Sequence, residues 1–177
     1  MARSFKGSAT FTVTGTYAND STSATDDFSF VVTNTFADGT GANQAQRWWI
    51  SEGRTLTALQ TEDIDIFDLA STDIGGGAGA DSLGQTVTMT GVKGVFVRDR
   101  STSGGSIAVG NKNATTAWQS PFNASDTGAV TIHEGGYFVL TAPTAAGIGV
   151  TDTSDHLLTI TDGGSGSTYD IGFWGID

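Results

Sequence analysis

Among its 177 residues the sequence has no cysteine, two prolines, two histidines and three glutamates. Without cysteine there is no disulfide framework and no thiolate metal site. Lys and Arg number 8 against 19 Asp and Glu, a formal charge of −11. The clustered cations that displace counterions from nucleic acid are therefore missing. No apolar run approaches the ~20 residues of a helical membrane span, and Met1–Ser8 lacks the apolar segment of a secretory signal. The expectation is a protein with no nucleic-acid and no membrane partner. Helix-favouring residues are also scarce, with seven Leu, three Lys and three Glu.

What is there reads as β. Leu, Ile, Val and Phe total 38, about 21% of the chain, close to the composition at which acidic chains stay unfolded. Their arrangement argues for folding. Apolar residues, mostly aromatic or β-branched, alternate with small polar ones, as in half-buried strands. The 28 Thr and 16 Ser supply the polar faces, and the branched Cβ of Thr suits a pleated surface. In Thr10–Tyr17, residues Phe11, Val13 and Tyr17 share one face; in Asp27–Phe36, Phe28, Phe30 and Val32 do. Further strands are expected at Gln44–Ile50, Arg54–Leu59, Thr61–Leu69, Gln85–Arg100 (one long strand, or two short ones broken near Gly91–Gly94), Ser106–Gly110, Ala129–Glu134, Gly136–Ala142, Gly147–Thr151, His156–Thr161 and Thr168–Ile176. Length and pattern fit one β domain over residues 1–177, with 1–26 as an N-terminal strand or arm for assembly. A jelly-roll-like β-sandwich of about eight to ten short strands accommodates them, whereas an immunoglobulin-like sandwich of ~100 residues leaves much of the chain over.

Candidate sites are weak. Gly76–Gly84 fits one nonapeptide of the calcium-binding β-helix repeat, but such a site needs stacked turns. Gly163-Gly164-Ser165-Gly166 echoes it with Thr168 in place of the aspartate, so the single copy at Gly76–Gly84 reads as a glycine loop. Asp63, Asp65 and Asp68 are an acidic cluster with too few oxygens for calcium. His133 and His156 lie in separate strands without a second ligand at metal spacing. No serine carries a nucleophile-elbow signature, and Glu52, Glu62 and Glu134 are far apart. No catalytic residue, cofactor or metal is assigned, and the chain is expected not to be an enzyme. Trp48, Trp49, Trp118 and Trp174 suggest a carbohydrate platform. However, the adjacent Trp48 and Trp49 must point to opposite faces of a strand, so at least one belongs to the core. Asn19, Asn113 and Asn123 begin sequons that read as chance.

Several segments carry a family likeness. Phe36–Ala45 with its Asp38-Gly39-Thr40-Gly41 turn, Arg54-Thr55-Leu56, Val92–Asn111 and Ser167–Ile171 resemble parts of small structural proteins of tailed bacteriophages. The likeness runs from about Phe28 onward and rests on glycine turns and strand patterns. It implies a virion protein, most plainly an exterior capsid cement or decoration protein made in the host cytoplasm. The partners it implies are copies of itself, as a homotrimer, and the major capsid protein or another virion protein. An acidic β domain suits the outside of a shell, away from packaged DNA. The competing expectation is a tail- or fibre-associated β-sandwich adhesin that binds carbohydrate on the host surface.

Overall fold

A computed structural model describes residues 4–19, 24–69, 86–110, 116–119, 121–122 and 128–177. Among the described residues all regular structure is β, as the alternation predicts. The strands are β1 (Gly7–Asn19), β2 (Ala24–Asp38), β3 (Gln44–Ala45), β4 (Arg47–Leu56), β5 (Thr61–Asp65) and β6 (Gly91–Asp99). They continue with β7 (Ser106–Gly110), β8 (Ala129–His133), β9 (Tyr137–Thr141), β10 (Ile148–Gly149), β11 (Leu157–Asp162) and β12 (Ser167–Ile176).

Eight of these strands pair in a nested way. β4 pairs with β12, β5 with β11, β6 with β9 and β7 with β8, all antiparallel. First meets last, second meets next to last, and so inward, as when one long hairpin is rolled up. The contacts β6–β12 and β7–β11 then close the roll into two sheets, ordered β9-β6-β12-β4 and β5-β11-β7-β8. This is the strand order of a jelly roll. The two inner faces share one core. Trp49, Val95, Val97, Ile171 and Phe173 come from the first sheet; Ile64, Ile107, Val109, Ile132, Leu158 and Ile160 come from the second. Trp118 is fully buried among them, and its indole N–H donates to the Gly149 carbonyl at 2.8 Å.

The structure departs from the expected strands at two places. Most of the stretches expected as separate strands at Gln44–Ile50 and Arg54–Leu59 form one strand, β4 (Arg47–Leu56), with Gln44–Ala45 split off as β3; β4 is interrupted by a bulge where Glu52 and Gly53 oppose Asp170 alone. Gly53 takes a φ of +67°, open to glycine at little cost, and its amide donates to Asp170 Oδ1 at 2.8 Å. Within Gln85–Arg100, expected as one long strand or two short ones broken near Gly91–Gly94, strand β6 begins at Gly91 and continues to Asp99, and Thr88 makes an isolated bridge to Asp68.

Buried polar groups tie the roll together. Arg54 on β4 forms an ion pair with Glu62 on β5, and the Tyr169 hydroxyl on β12 donates to the other oxygen of Glu62 at 2.6 Å. Burial pushes the Tyr169 phenol up to about 12, although the nearby Arg54 guanidinium pulls the other way. Asp162 accepts bonds from the amides of Leu59, Gly164 and Gly166 and from the Ser167 hydroxyl. Burial alone would raise its carboxyl pKa, but these donors outweigh it and lower it. Gly163–Gly166, the stretch that echoes the nonapeptide, is thus a tight turn around one carboxylate, with Gly166 at φ +81°.

Candidate functional site

Among the described residues, the β1–β2 ribbon stands outside the eight-strand roll. Its register pairs Phe11 with Val32, Val13 with Phe30, Gly15 with Phe28, Ala9 with Asn34 and Gly7 with Phe36. Directly paired residues share a face, so these ten positions form a single face that is apolar except for Asn34. The opposite face pairs Ser8 with Thr35, Thr10 with Thr33, Thr12 with Val31 and Thr14 with Ser29. There the Thr10 and Thr33 hydroxyls lie 3.1 Å apart. The alternation read from the sequence is therefore present as a strongly two-faced ribbon.

The root of the ribbon is fastened to the roll. β2 continues into a parallel pairing with β3. The Phe5 amide closes the base of the ribbon itself by donating to Asp38 Oδ1 at 2.9 Å, and the Asn43 amide ties that base to the roll by donating to the Pro143 carbonyl at 2.7 Å. Lys93, a fully buried residue at a bulge of β6, donates to the carbonyls of Gly41, Thr144 and Ala145. It thereby pins the turn after β2 to the loop after β9. Burial lowers the Lys93 pKa, which the three carbonyl acceptors make tolerable.

Beneath the ribbon lies the outer face of the β9-β6-β12-β4 sheet, paved with aromatic rings. Trp174 on β12 stands between Trp48 on β4 and Gly94 on β6. Phe96 on β6 stands between Gly172 on β12 and Val139 on β9. The two glycines are what let the rings lie flat. A methyl at Gly94 would come within 1.9 Å of the Trp174 ring, and one at Gly172 within 2.4 Å of Phe96. Phe36 from the ribbon meets Trp174 edge-on with centroids 5.9 Å apart, Phe11 meets Tyr137 at 6.4 Å, and Asn34 donates to the Thr141 hydroxyl at 2.8 Å. Between ribbon and floor a cleft of about 1250 Å³ remains, reached by Trp48, Phe96, Tyr137 and Val139 from below and by Phe11 and Val32 from above.

Burial on the apolar face is complete at the root and partial along the rest of the ribbon. Phe36 is 1% exposed, Phe11 40%, Val32 43%, Phe30 57% and Phe28 52%. The inner half of the face rests on the roll and the outer half overhangs it.

The residues weighed from sequence are scattered. Gly76–Gly84, Asn113 and Asn123 lie outside the described residues, as does the side chain of Asn19. Asp63 accepts from the Thr159 hydroxyl at 2.7 Å, and Asp65 accepts from the Asp68 amide and stands 3.9 Å from His156. His133 is exposed on β8, away from His156. Glu62 is buried in the ion pair, while Glu52 and Glu134 are exposed. Among the described residues no three acidic or histidine side chains converge as a metal site. Trp49 is core at 3% exposure and Trp48 points outward at 43%, as their adjacency requires. Sequence reading missed the aromatic floor. The glycines at 94 and 172 are its only local signal, and their partners come from a different strand.

Compared with protein-family models, curated proteins and solved structures, the chain matches none.

Proposed function

We propose that this chain is a structural protein of a tailed-bacteriophage virion, an exterior cement or decoration protein that stabilises the head and has no catalytic role. The observation that carries the reading is the ribbon: a long, two-faced arm, charged only near the ends of β2, with its apolar face uncovered towards the outer end, fixed to an acidic jelly roll. A soluble domain gains nothing by overhanging phenylalanines, whereas an assembly protein gains a contact repeated at every lattice position. The resemblance of the Phe36–Ala45, Val92–Asn111 and Ser167–Ile171 segments to phage structural proteins supports the same reading, and with it a homotrimer seated on the major capsid protein.

A specific observation favours a second reading, a tail- or fibre-associated adhesin. Trp48 is exposed at the edge of the cleft near polar Gln46, Asn34 and Thr141, a setting in which a sugar ring could stack. Cryo-EM of virions carrying the chain separates the two. Density for hundreds of copies on the outer face of the head is the expected result. A few copies at the tail would replace the cement reading with the adhesin.

A further inference from the structure

We infer that the cleft between ribbon and roll is a docking groove for an extended segment of another protein. The segment adds a strand to the free edge of β1 and lays every second side chain on the aromatic floor. The inference deepens the assembly reading above by naming the chemistry of the partner, and rests on it only for where that partner is found.

The first observation is which residues line the cleft. From β2 come only Val32, Asn34 and Phe36, all of one parity, as for a strand met on its inner face. From the start of the chain come nine consecutive residues, Ser4–Thr12, so that outward Ser8, Thr10 and Thr12 take part along with inward Gly7, Ala9 and Phe11. Both parities meet one cavity along a strand's edge, where the backbone itself forms the wall.

The second observation is that this edge is unpaired. Among the described residues β1 pairs only with β2, whose other edge is taken at its root by β3. Every second residue of Gly7–Thr12 therefore turns its amide N–H and carbonyl away from β2 without a backbone partner. Gly7–Asn19 contains neither proline nor charge, the usual guards of an open edge. The unpaired groups recur at about 6.8 Å, two residues of an extended chain, and another extended backbone matches that repeat. A sugar or an acyl chain does not.

The floor and the charge then set the side chains. Trp48, Trp174, Phe96 and Val139 come one from each strand of the β9-β6-β12-β4 sheet, and Trp48 and Val139 are still 43% and 44% exposed. A strand added to β1 points alternate side chains at them, so the partner is apolar at every second position. Lys6 is the only charged residue of the lining, in a chain of net charge −11. The segment is therefore uncharged along the groove, with a carboxylate favourable only at the end beside Lys6.

The test uses the full-length protein and a blocked, fluorescent nonapeptide that alternates threonine with valine and phenylalanine. Saturable binding with a Kd of about 1–100 μM is expected by fluorescence anisotropy. A peptide of the same composition with its apolar residues in one block should bind at least 10-fold more weakly. Val139→Asp, which puts a carboxylate on the floor, should weaken binding of the alternating peptide at least 10-fold. Val31→Asp, on the opposite face of the ribbon, should leave it unchanged. In amide hydrogen exchange followed by NMR, every second amide of Gly7–Thr12 should slow at least 10-fold on adding the peptide. The intervening amides, already paired with β2, should not change. No saturable binding, or equal binding of the two peptides, would overturn the inference. So would binding that leaves β1 exchange unaltered, which would give the cleft to a ligand held by side chains alone, such as a sugar. Edge amides that are slow in the protein by itself and speed up on dilution would assign the edge to a second copy, and overturn it too. The exchange result keeps the test decisive if Val139→Asp misfolds. Failure here is separable from failure of the cement reading. A peptide-binding chain absent from heads refutes only that reading, and a head-bound chain that ignores the peptide refutes only the groove.

Discussion

The ribbon and the roll are written in the same alternating pattern and end in opposite environments. In the roll, every second residue of β6, β11 and β12 faces the opposite sheet, and Val95, Val97, Ile160, Ile171 and Phe173 are all but inaccessible. In the ribbon, Val13, Phe28 and Phe30 follow the same period, yet more than a third of each is exposed. Alternation therefore encodes two-facedness, and burial requires a second surface that the strand does not itself contain. Where the chain supplies that surface, the face becomes core. Where it does not, the face is available to another molecule.

This contrast can be broken or sharpened by mutation, and the largest effect belongs to the roll. Arg54→Met removes one partner of a buried ion pair and leaves Glu62 with the Tyr169 hydroxyl alone. It is expected to cost about 3–5 kcal/mol in urea unfolding. A loss below about 1 kcal/mol would show that the buried pair does not hold the sheets together.

Next comes pH. Tyr169 has its folded pKa raised to about 12 from 10.0. Its proton is held more tightly in the folded state, so this contribution is complete below pH 10 and disappears as pH rises towards 12. The whole amounts to about 3 kcal/mol. Alkaline titration of stability in wild type and in Tyr169→Phe should differ over that interval, with the variant losing less as pH rises. Parallel curves would remove the phenol from the account.

A smaller effect is expected at the boundary between the two regions. Gly94→Ala puts a methyl into the Trp174 ring and should lift it from the floor, costing about 1–3 kcal/mol. It should also make tryptophan fluorescence easier to quench. Unchanged quenching would mean that the floor accommodates the methyl without moving.

The smallest stability effect belongs to the ribbon. Phe30→Ser, measured at a dilution where the chain is monomeric, should change unfolding by less than about 0.5 kcal/mol, since Phe30 is 57% exposed. Its effect should appear instead in assembly. A loss of 2 kcal/mol or more in the monomer would show that the overhang is covered by its own chain.

Composition and period carried much of the fold. Scarcity of Leu, Lys and Glu, Thr-rich alternation and turn-forming glycines pointed to an all-β roll, and the adjacency of Trp48 and Trp49 required that they diverge. The alternation of Phe28, Phe30 and Val32 also made the two-faced ribbon legible, because side-chain direction in a strand depends only on position along it. Less of the site was legible. The Glu52–Gly53 bulge was read as a gap between strands, because one extra residue breaks the period locally and looks like a turn.

Tertiary structure alone decided the rest. The nested pairing brings Arg54, Glu62 and Tyr169 together from three strands and lays Trp174 over Gly94 from a fourth. It also buries Phe36 while leaving Phe28 outside on the same face of the same strand. These outcomes depend on contacts between residues far apart in the chain. Period and propensity describe each strand by itself, whereas burial is a property of the pair of surfaces that meet.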